Sequence, residues 1–332
     1  MPPNSHDHSD VAQRVSVVLP FKNGAKTLGR AIRSILENNE VGELLLVNDQ
    51  SSDDYLDVIG KFHDPRLVLV DNEGSGIADG FNTGLNKATR DYIAKCDDDD
   101  LYITGRFIHQ IRELDANPEA VAVCGQHLVR LEDGRELGKS PLYDEPRNIR
   151  SDLCRGIPEV YFTTCLVRRS TLIDMGGKRN YFLVAEDLDT LFRLGMKGDV
   201  LYFPQIVYIH HLRQSSISHS TRNACVRFFN AQAHKFTEQR QRNGTDDLDL
   251  GGAETWDEID ELPEEKPEYL NERATGILTA NAFYNQSNGR NRIALAQIIH
   301  ALSLNYLLYT SWRSFFTISI RSILSILKYR PF

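Results

Sequence analysis

Short apolar runs alternate, over the first two thirds of the chain, with segments in which apolar residues recur every three or four positions. Val15-Ser16-Val17-Val18-Leu19-Pro20 is a mostly apolar run that stops at a proline, as a strand buried on both faces would. Leu28, Ala31, Ile32, Ile35 and Leu36 then fall at helical spacing, with Arg30 and Arg33 on the other side. Leu44 to Val47 predicts a second strand, Leu56, Ile59 and Phe62 a second helix, and Leu67 to Val70 a third strand. A loop with Gly74, Gly76 and Gly80 leads into a helix through Phe81, Leu85 and Ala88, and Tyr92 to Cys96 predicts a fourth strand. Further on, Phe107, Ile111 and Leu114 mark a helix, Val121 to Cys124 a strand, and Thr163 to Val167 another apolar run. Glu186 and Asp187 head a helix carrying Leu188, Leu191, Phe192 and Leu194, where their charge suits the helix dipole. This alternation predicts an α/β fold with a doubly wound, mostly parallel central sheet.

In such a sheet, ligands bind beyond the carboxyl ends of the strands. Three polar strand ends converge there: Pro20 to Asn23, Asp49 to Asp53, and Asp97 to Asp100. Four consecutive aspartates repel one another and raise each other's pKa unless a cation or hydrogen-bond donors compensate them. A divalent ion is the most economical partner, and carboxylate oxygens suit Mg²⁺ or Mn²⁺ completed by substrate phosphates. The competing reading is a solvated acidic loop or a chain of helix caps.

Composition narrows the classes. The chain has 332 residues, 41% hydrophobic and 25% charged, which suits one large domain with an extension. A net charge of -8 without a basic cluster in the first two thirds argues against nucleic acid as a partner. Five scattered cysteines with no Cys-x-x-Cys pair indicate neither a disulfide framework nor a zinc site, and point to the reducing cytosol. Residues 1–12 read as a disordered polar lead-in without the apolar core of a signal peptide, its His6 and His8 solvated. Residues 13–222 read as the catalytic domain and 223–332 as an extension, with an acidic insertion over 245–268 that reads as a mobile linker. After Glu272 there is no acidic residue, while Arg273, Arg290, Arg292, Arg313, Arg321, Lys328 and Arg330 remain. Trp312, Phe315, Phe316, Ile320, Ile323, Leu324 and Leu327 share one helical face, with Ile318 interrupting the polar side. That pattern predicts a helix lying on an anionic membrane surface, against the alternative of a helix packed on the protein itself.

Taken in order, several segments resemble the family 2 glycosyltransferases. Val15 to Gly24 resembles that family's opening strand and turn, Val47 to Asp53 its Asp-Asp-Gly-Ser-x-Asp segment, and Asn72 to Leu85 the stretch before its metal site. Tyr92 to Asp100 fits the Asp-x-Asp-Asp pattern, and Gly176-Gly177 with Glu186-Asp187 and Arg193 resembles the acceptor-side signature. Five motifs in one order over Val15 to Ser218 make a chance match improbable. The resemblance implies an inverting enzyme of GT-A fold that takes a nucleotide-sugar donor, a UDP-sugar foremost, and a glycan or lipid-linked acceptor at the cytoplasmic side of a membrane. It implies Asp187 as general base, Glu186 and Arg193 on the acceptor side, and Pro20, Asn23, Asp49, Asp53, Asp97 and Asp98 around the nucleotide-sugar. Asp97 and Asp99 would face the diphosphate through Mn²⁺ or Mg²⁺, because alternate residues of an extended segment share a side. Asp99 is the expected direct ligand, with His211 as second candidate and His210 and Arg213 as alternatives.

Four positions depart from that family's pattern. Lys22 stands where an aromatic residue is common, Asn48 replaces an aspartate, Phe162 replaces a histidine, and the register near His210-His211 is ambiguous. Two other classes fit less well. The Gly74-Ser75-Gly76 and Gly80 spacing is one residue too long for a dinucleotide fingerprint and follows the third strand. No Asp-x-Asp-x-Asp-Gly loop closed by a glutamate supports a calcium-binding module. A non-catalytic protein on the same scaffold is opposed by the presence of Asp99 and Asp187.

Overall fold

The computed structural model describes residues 10–158, 160–213, 224–256, 267–305 and 309–328; side chains of 267–269, 309–311 and 322–328 lie outside the description. The elements, in chain order, are β1 (Val15–Phe21), α1 (Leu28–Leu36), β2 (Val41–Asn48), α2 (Tyr55–Ile59), β3 (Leu67–Asp71), α3 (Gly76–Lys87) and β4 (Tyr92–Lys95). There follow β5 (Leu101–Tyr102), α4 (Arg106–Ala116), β6 (Ala120–Leu131), β7 (Glu136–Ser140), β8 (Arg147–Asn148), α5 (Arg150–Cys154), β9 (Leu166–Arg168) and α6 (Arg169–Asp174). The chain then forms α7 (Glu186–Lys197), β10 (Asp199–Leu212), α8 (Ala224–Asn243), α9 (Pro267–Ser287), α10 (Asn291–Leu304) and α11 (Tyr309–Lys328).

One sheet runs in the order β3-β2-β1-β4-β9-β6-β10-β5. Its first four strands are parallel, since α1, α2 and α3 supply the crossovers that parallel pairing requires. The other side is antiparallel: β9 opposes both β4 and β6, and β5 opposes β10. The chain steps outward from β1 to β3 and returns through α3 to β4 on β1's other flank, so a topological switch point lies between β1 and β4.

The described chain divides into two compact units. The first holds the chain through His127, Tyr143–His210, and α8 with the loop after it; the second holds Leu128–Leu142, the end of β10 from His211, and α9 to α11. This differs from a single boundary at 222. In the first unit, strand alternation sorts the apolar residues onto the sheet's two faces. Val18, Leu45, Val47 and Ile93 join α3, α7 and α8 in one core, while Val17, Leu19, Leu44, Leu46 and Ala94 join α1 and α4 in the other. Phe229, Ala233 and Phe236 bring α8 into the first core, which is why it does not belong with the extension. The second unit has a core of its own, in which Val129, Leu131 and Leu137 meet Leu278, Ala282, Ile298 and Ile318.

Three sequence expectations change. Residues 1–9 of the expected lead-in lie outside the described residues, but Val11 is fully buried in the core beside β1. The part of the acidic insertion before residue 257 is not a loose linker. Asp246 is 1% exposed, with its Oδ2 2.7 Å from Arg179 and also paired to Arg240, so this acid serves as an internal counterion. Residues 257–266 lie outside the described residues. In α11, Ile318 is fully buried with Phe315 packed beside it, whereas Trp312, Phe316 and Ile320 are 42%, 57% and 56% exposed. The helix therefore carries apolar residues on two faces, one buried in its own unit and one with substantial solvent exposure.

Candidate active site

The loops after β1 and β2 are tied together by hydrogen bonds. Asn23, at a φ of 55°, accepts from the Ser52 N–H at 2.8 Å through its side chain and donates its own N–H to Ser51 Oγ at 2.9 Å. Asp53 Oδ2 accepts from the Ala25 N–H at 2.7 Å, while its Oδ1 is buried and meets no donor among the described residues. Asp49, 7% exposed, accepts from Asn72 Nδ2 at 2.8 Å and from the Gly76 N–H at 3.2 Å, fixing the start of α3. Pro20 lies against that helix, since a Cβ on Gly80 would sit 3.1 Å from the proline ring. Asn48 spends its amide on Asp71 and Tyr55, and Lys22 stays 58% exposed with its Nζ 3.5 Å from Asp49.

The four aspartates form a turn, not an extended segment: the Asp100 N–H donates to the Asp97 carbonyl at 3.2 Å. Strict side-to-side alternation therefore does not hold, and each residue finds a different neighbour. Asp97 Oδ1 lies 2.8 Å from Lys95 Nζ, with its side chain 39% exposed. Asp98 turns back toward the β1 loop, 3.4 Å from Thr27 Oγ1 and so close to Gly24 that a Cβ there would meet its oxygen at 2.1 Å. The Asp99 carbonyl accepts from Arg30 at 2.8 Å, leaving its half-buried carboxylate unused by that bond. Asp100, 1% exposed, lies 3.1 Å from His210 Nδ1. Among the described residues no group of three or more His, Cys, Asp or Glu side chains converges as a metal cage. The hard-oxygen carboxylates of this turn still fit Mg²⁺ or Mn²⁺, which are held by one or two carboxylates when substrate phosphates complete the shell.

The head of α7 is arranged differently. Asp187 lies between two lysines: Lys95 Nζ is 3.0 Å from its Oδ2, and Lys178 Nζ forms a very short ion pair with its Oδ1. Lys178 is fully buried, also reaches Glu186 at 3.3 Å, and sits 4.7 Å and 5.1 Å from the Phe81 and Phe162 ring centres. Phe162 thus forms part of an aromatic floor under the ammonium. Asn82 clamps the Lys178 backbone with two bonds of 2.8 Å, and its Oδ1 is where a Cβ on Gly177, at a φ of 69°, would fall. Burial pushes the Asp187 carboxyl up, but Lys178 and Lys95 outweigh it and hold it down at about 2. Burial depresses the Lys95 ammonium, yet Asp187 and Asp97 carry it well above the ordinary lysine range.

Lys95 and Lys178 went unnoticed in the sequence. Their signals were a lysine inside an otherwise buried strand and a lysine directly after Gly176-Gly177. Arg193 does not reach this cluster by any described bond: it donates to the Gly177 carbonyl at 2.8 Å and to the Met175 carbonyl, bracing the turn before α7. Of the residues expected near the diphosphate, His210 is the one paired with the aspartate turn. His211 is buried in the second unit; Arg213, partly buried in the same unit, has its Nε 3.3 Å from Glu132. Ser216 to Ser218 lie outside the described residues.

Residues 16–176 match the family model described as glycosyl transferase family 2. The chain is 30% identical over 193 residues to the Bacillus subtilis protein named "Putative glycosyltransferase EpsE", covering 56% of this chain and 68% of that protein. The chain belongs to glycosyltransferase family 2. Another member with similarity to it is the Escherichia coli UDP-Glc:alpha-D-GlcNAc-diphosphoundecaprenol beta-1,3-glucosyltransferase WfgD, 35% identical over 99 residues. That match covers 29% of this family 2 chain and 39% of WfgD, so the chain spans about two fifths of that relative's length. The crystal structure of S. aureus TarS 1-349 in complex with UDP-GlcNAc superposes with a TM-score of 0.52 at 14% identity, covering 96% of this chain and 93% of that one. The fold of this family 2 member is accordingly of GT-A type, with added C-terminal helices.

Proposed function

We propose that the protein is an inverting glycosyltransferase that moves a hexose from a UDP-sugar to a lipid-linked or glycan acceptor. One observation carries the reading: the Lys95 ammonium touches both Asp97 and Asp187, so the acidic turn and the head of α7 stand one side chain apart. That spacing suits a donor diphosphate at the turn and an acceptor hydroxyl at the helix head. The named activities of relatives agree in kind, since WfgD is described with a UDP-glucose donor and a diphosphoundecaprenol-linked acceptor and TarS was crystallised with UDP-GlcNAc.

Asp49 and Asp53 bind the nucleotide, the unmet Oδ1 of Asp53 serving as acceptor for a ribose hydroxyl or a base N–H. Asp99 offers its carboxylate to the metal, with Asp97 and Asp98 beside the donor and Pro20 and Asn23 holding the loop that covers it. A bound Mg²⁺ or Mn²⁺ supplies Lewis-acid neutralisation of charge on the departing diphosphate. Asp187 accepts the proton of the attacking hydroxyl. The new bond to the anomeric carbon forms on the face opposite the breaking bond to the diphosphate oxygen, which inverts that centre. Glu186 orients the acceptor. In thermal-shift measurements UDP with Mn²⁺ should stabilise the protein, and donor hydrolysis should fail in Asp99→Asn and Asp187→Asn. Absence of nucleotide stabilisation under every metal condition would sink this reading.

We also propose that α11 meets the cytoplasmic face of an anionic membrane, where lipid-linked acceptors reside. Trp312, Phe316 and Ile320 are exposed one turn apart, Arg313 and Arg321 are exposed on the same helix, and no acidic residue follows Glu272. No described helix is long and apolar enough to cross a membrane. Flotation with phosphatidylglycerol vesicles should show binding that Trp312→Ser, Phe316→Ser and Ile320→Ser together abolish. Equal binding by the triple variant would overturn the assignment.

A further inference from the structure

The mechanism above leaves a difficulty that points to a further role for Lys95. A carboxylate held near 2 by two ammonium groups is a weak base toward a sugar hydroxyl, because proton acceptance improves as the base's pKa approaches the working pH. Two ammonium groups within ion-pair distance of one carboxylate lower its basicity, and the loss of either would raise it.

The two lysines are not equivalent. Lys178 is fully buried, its backbone is clamped on both sides by Asn82, and its ammonium rests on Phe81 and Phe162 with Glu186 as a second counterion. All of its partners belong to the acceptor side of the cluster. Lys95 sits at the end of β4, and its second partner is Asp97, 39% exposed in the turn assigned to the donor. The groups facing Asp187 are thus Lys95 from β4 and Lys178 from the segment before α7, with Glu186 and Asp97 as the other carboxylates on those ammoniums. Both ammoniums are buried, at 4% and 0% exposure, so what separates them is partnership: Lys95 is bonded to the turn through Asp97, and a diphosphate arriving there competes with Asp97 and Asp187 for it, whereas the partners of Lys178 named above all lie outside the turn.

We propose that Lys95 is a positioning residue that couples donor occupancy to the basicity of Asp187: the nucleotide diphosphate draws the Lys95 ammonium off Asp187 and leaves that carboxylate held by Lys178 alone. The base becomes competent only when a donor is in place. This inference rests on the assignment of UDP-sugar as donor and of Asp187 as base. By linkage, whatever donor binding does to proton affinity at Asp187, protonation there does to donor binding.

The test is the carboxyl ¹³C titration of Asp187 in the full chain, assigned with Asp187→Asn, free and saturated with UDP and Mg²⁺. Saturation is verified by calorimetry. In the unsubstituted protein UDP should raise the Asp187 pKa by about one to three pH units, the range for loss of one close opposite charge. In Lys95→Met it should already be raised in the free protein and should not rise further with UDP. An Asp187 pKa that stays fixed when UDP is bound overturns the coupling, and this measurement needs no variant that might misfold. A UDP-induced rise that persists in Lys95→Met also overturns it, because the field of the phosphates would then act without the lysine. No UDP binding at all overturns the donor assignment and the coupling with it. A coupled titration together with full transferase activity in Asp187→Asn would instead remove only the base role.

Discussion

Two groups of carboxylates in the first unit, the Asp97–Asp100 turn and the Glu186-Asp187 head of α7, handle the same problem of adjacent negative charge in opposite ways. The turn disperses three of its charges: Asp97 goes to Lys95, Asp98 to the β1 loop and Asp100 to His210, while Arg30 holds the backbone carbonyl of Asp99. The helix head concentrates its charges on two buried ammoniums shared within the cluster. In the function proposed above, the dispersed, partly exposed set is the one that would meet an incoming cation. A concentrated, neutralised set favours the ionised form of one carboxylate and fixes its direction. Under the proposed function, that difference would separate a place that receives a ligand from a place that supplies a proton acceptor.

The sharpest way to break the comparison is chemical. Asp187→Asn removes the acceptor of the proton while leaving the turn intact, so kcat should fall by about 10² to 10⁴-fold, the range for loss of a general base. UDP affinity by calorimetry should not fall, and the Lys95 ammonium released from Asp187 should strengthen it. Transfer at the parental rate would show that the helix head is only a structural counterion pair.

Next in size is the loss of a buried cation. Lys178→Met leaves Glu186 and Asp187 short of their shared ammonium inside the core, which costs about 3–5 kcal/mol when a buried pair is broken from one side. The urea midpoint reports it. Lys22→Met is the control on the exposed loop: its ion pair with Asp49 is long and its side chain is 58% exposed, so stability should change by less than about 1 kcal/mol.

The turn can be disturbed through its floor. Gly24→Ala drives a methyl group onto the Asp98 carboxylate, which must leave Thr27 or push the β1 loop aside. A cost of about 1–3 kcal/mol is expected, typical of overpacking, together with weaker UDP binding. Unchanged UDP affinity would mean that Asp98 and the β1 loop are remote from the donor.

The contrast also explains what the sequence disclosed. The strand ends were legible because the parallel strands are short apolar runs, each ending in a polar segment, and the motif series marks those ends. The acidic turn was located, but its internal geometry was misjudged, because alternation assumes an extended backbone and the Asp97–Asp100 hydrogen bond bends it. The lysines were hidden by distance along the chain. Lys95 looks like an interruption in an apolar strand until Asp187, 92 residues later, is seen opposite it. Asp246 likewise reads as one more acid in an acidic stretch, and only the Arg179 guanidinium, 67 residues away, makes it internal. In α11 the amphipathic pattern was visible, but which apolar residues the second unit would cover was not; Ile318, which looked misplaced, is the one most deeply buried.

A further effect is expected on acid stability, and it tests the neutralised carboxylates without any ligand. The folded value of Asp187, about 2, lies below the ordinary aspartate value of 3.8, so the unfolded chain binds this proton more readily than the native one. Its contribution to stability is fully present above about pH 4 and fades as the pH falls toward 2. Burial alone would give the opposite sign, so the direction of the effect reports whether Lys178 and Lys95 really outweigh it. Denaturant midpoints taken across that window should therefore fall more steeply in the parent protein than in Asp187→Asn, with the two curves parallel from pH 5 upward. Parallel curves down to pH 2 would mean that the lysines do not hold Asp187 below its ordinary range, and the two carboxylate groups would then differ only in exposure.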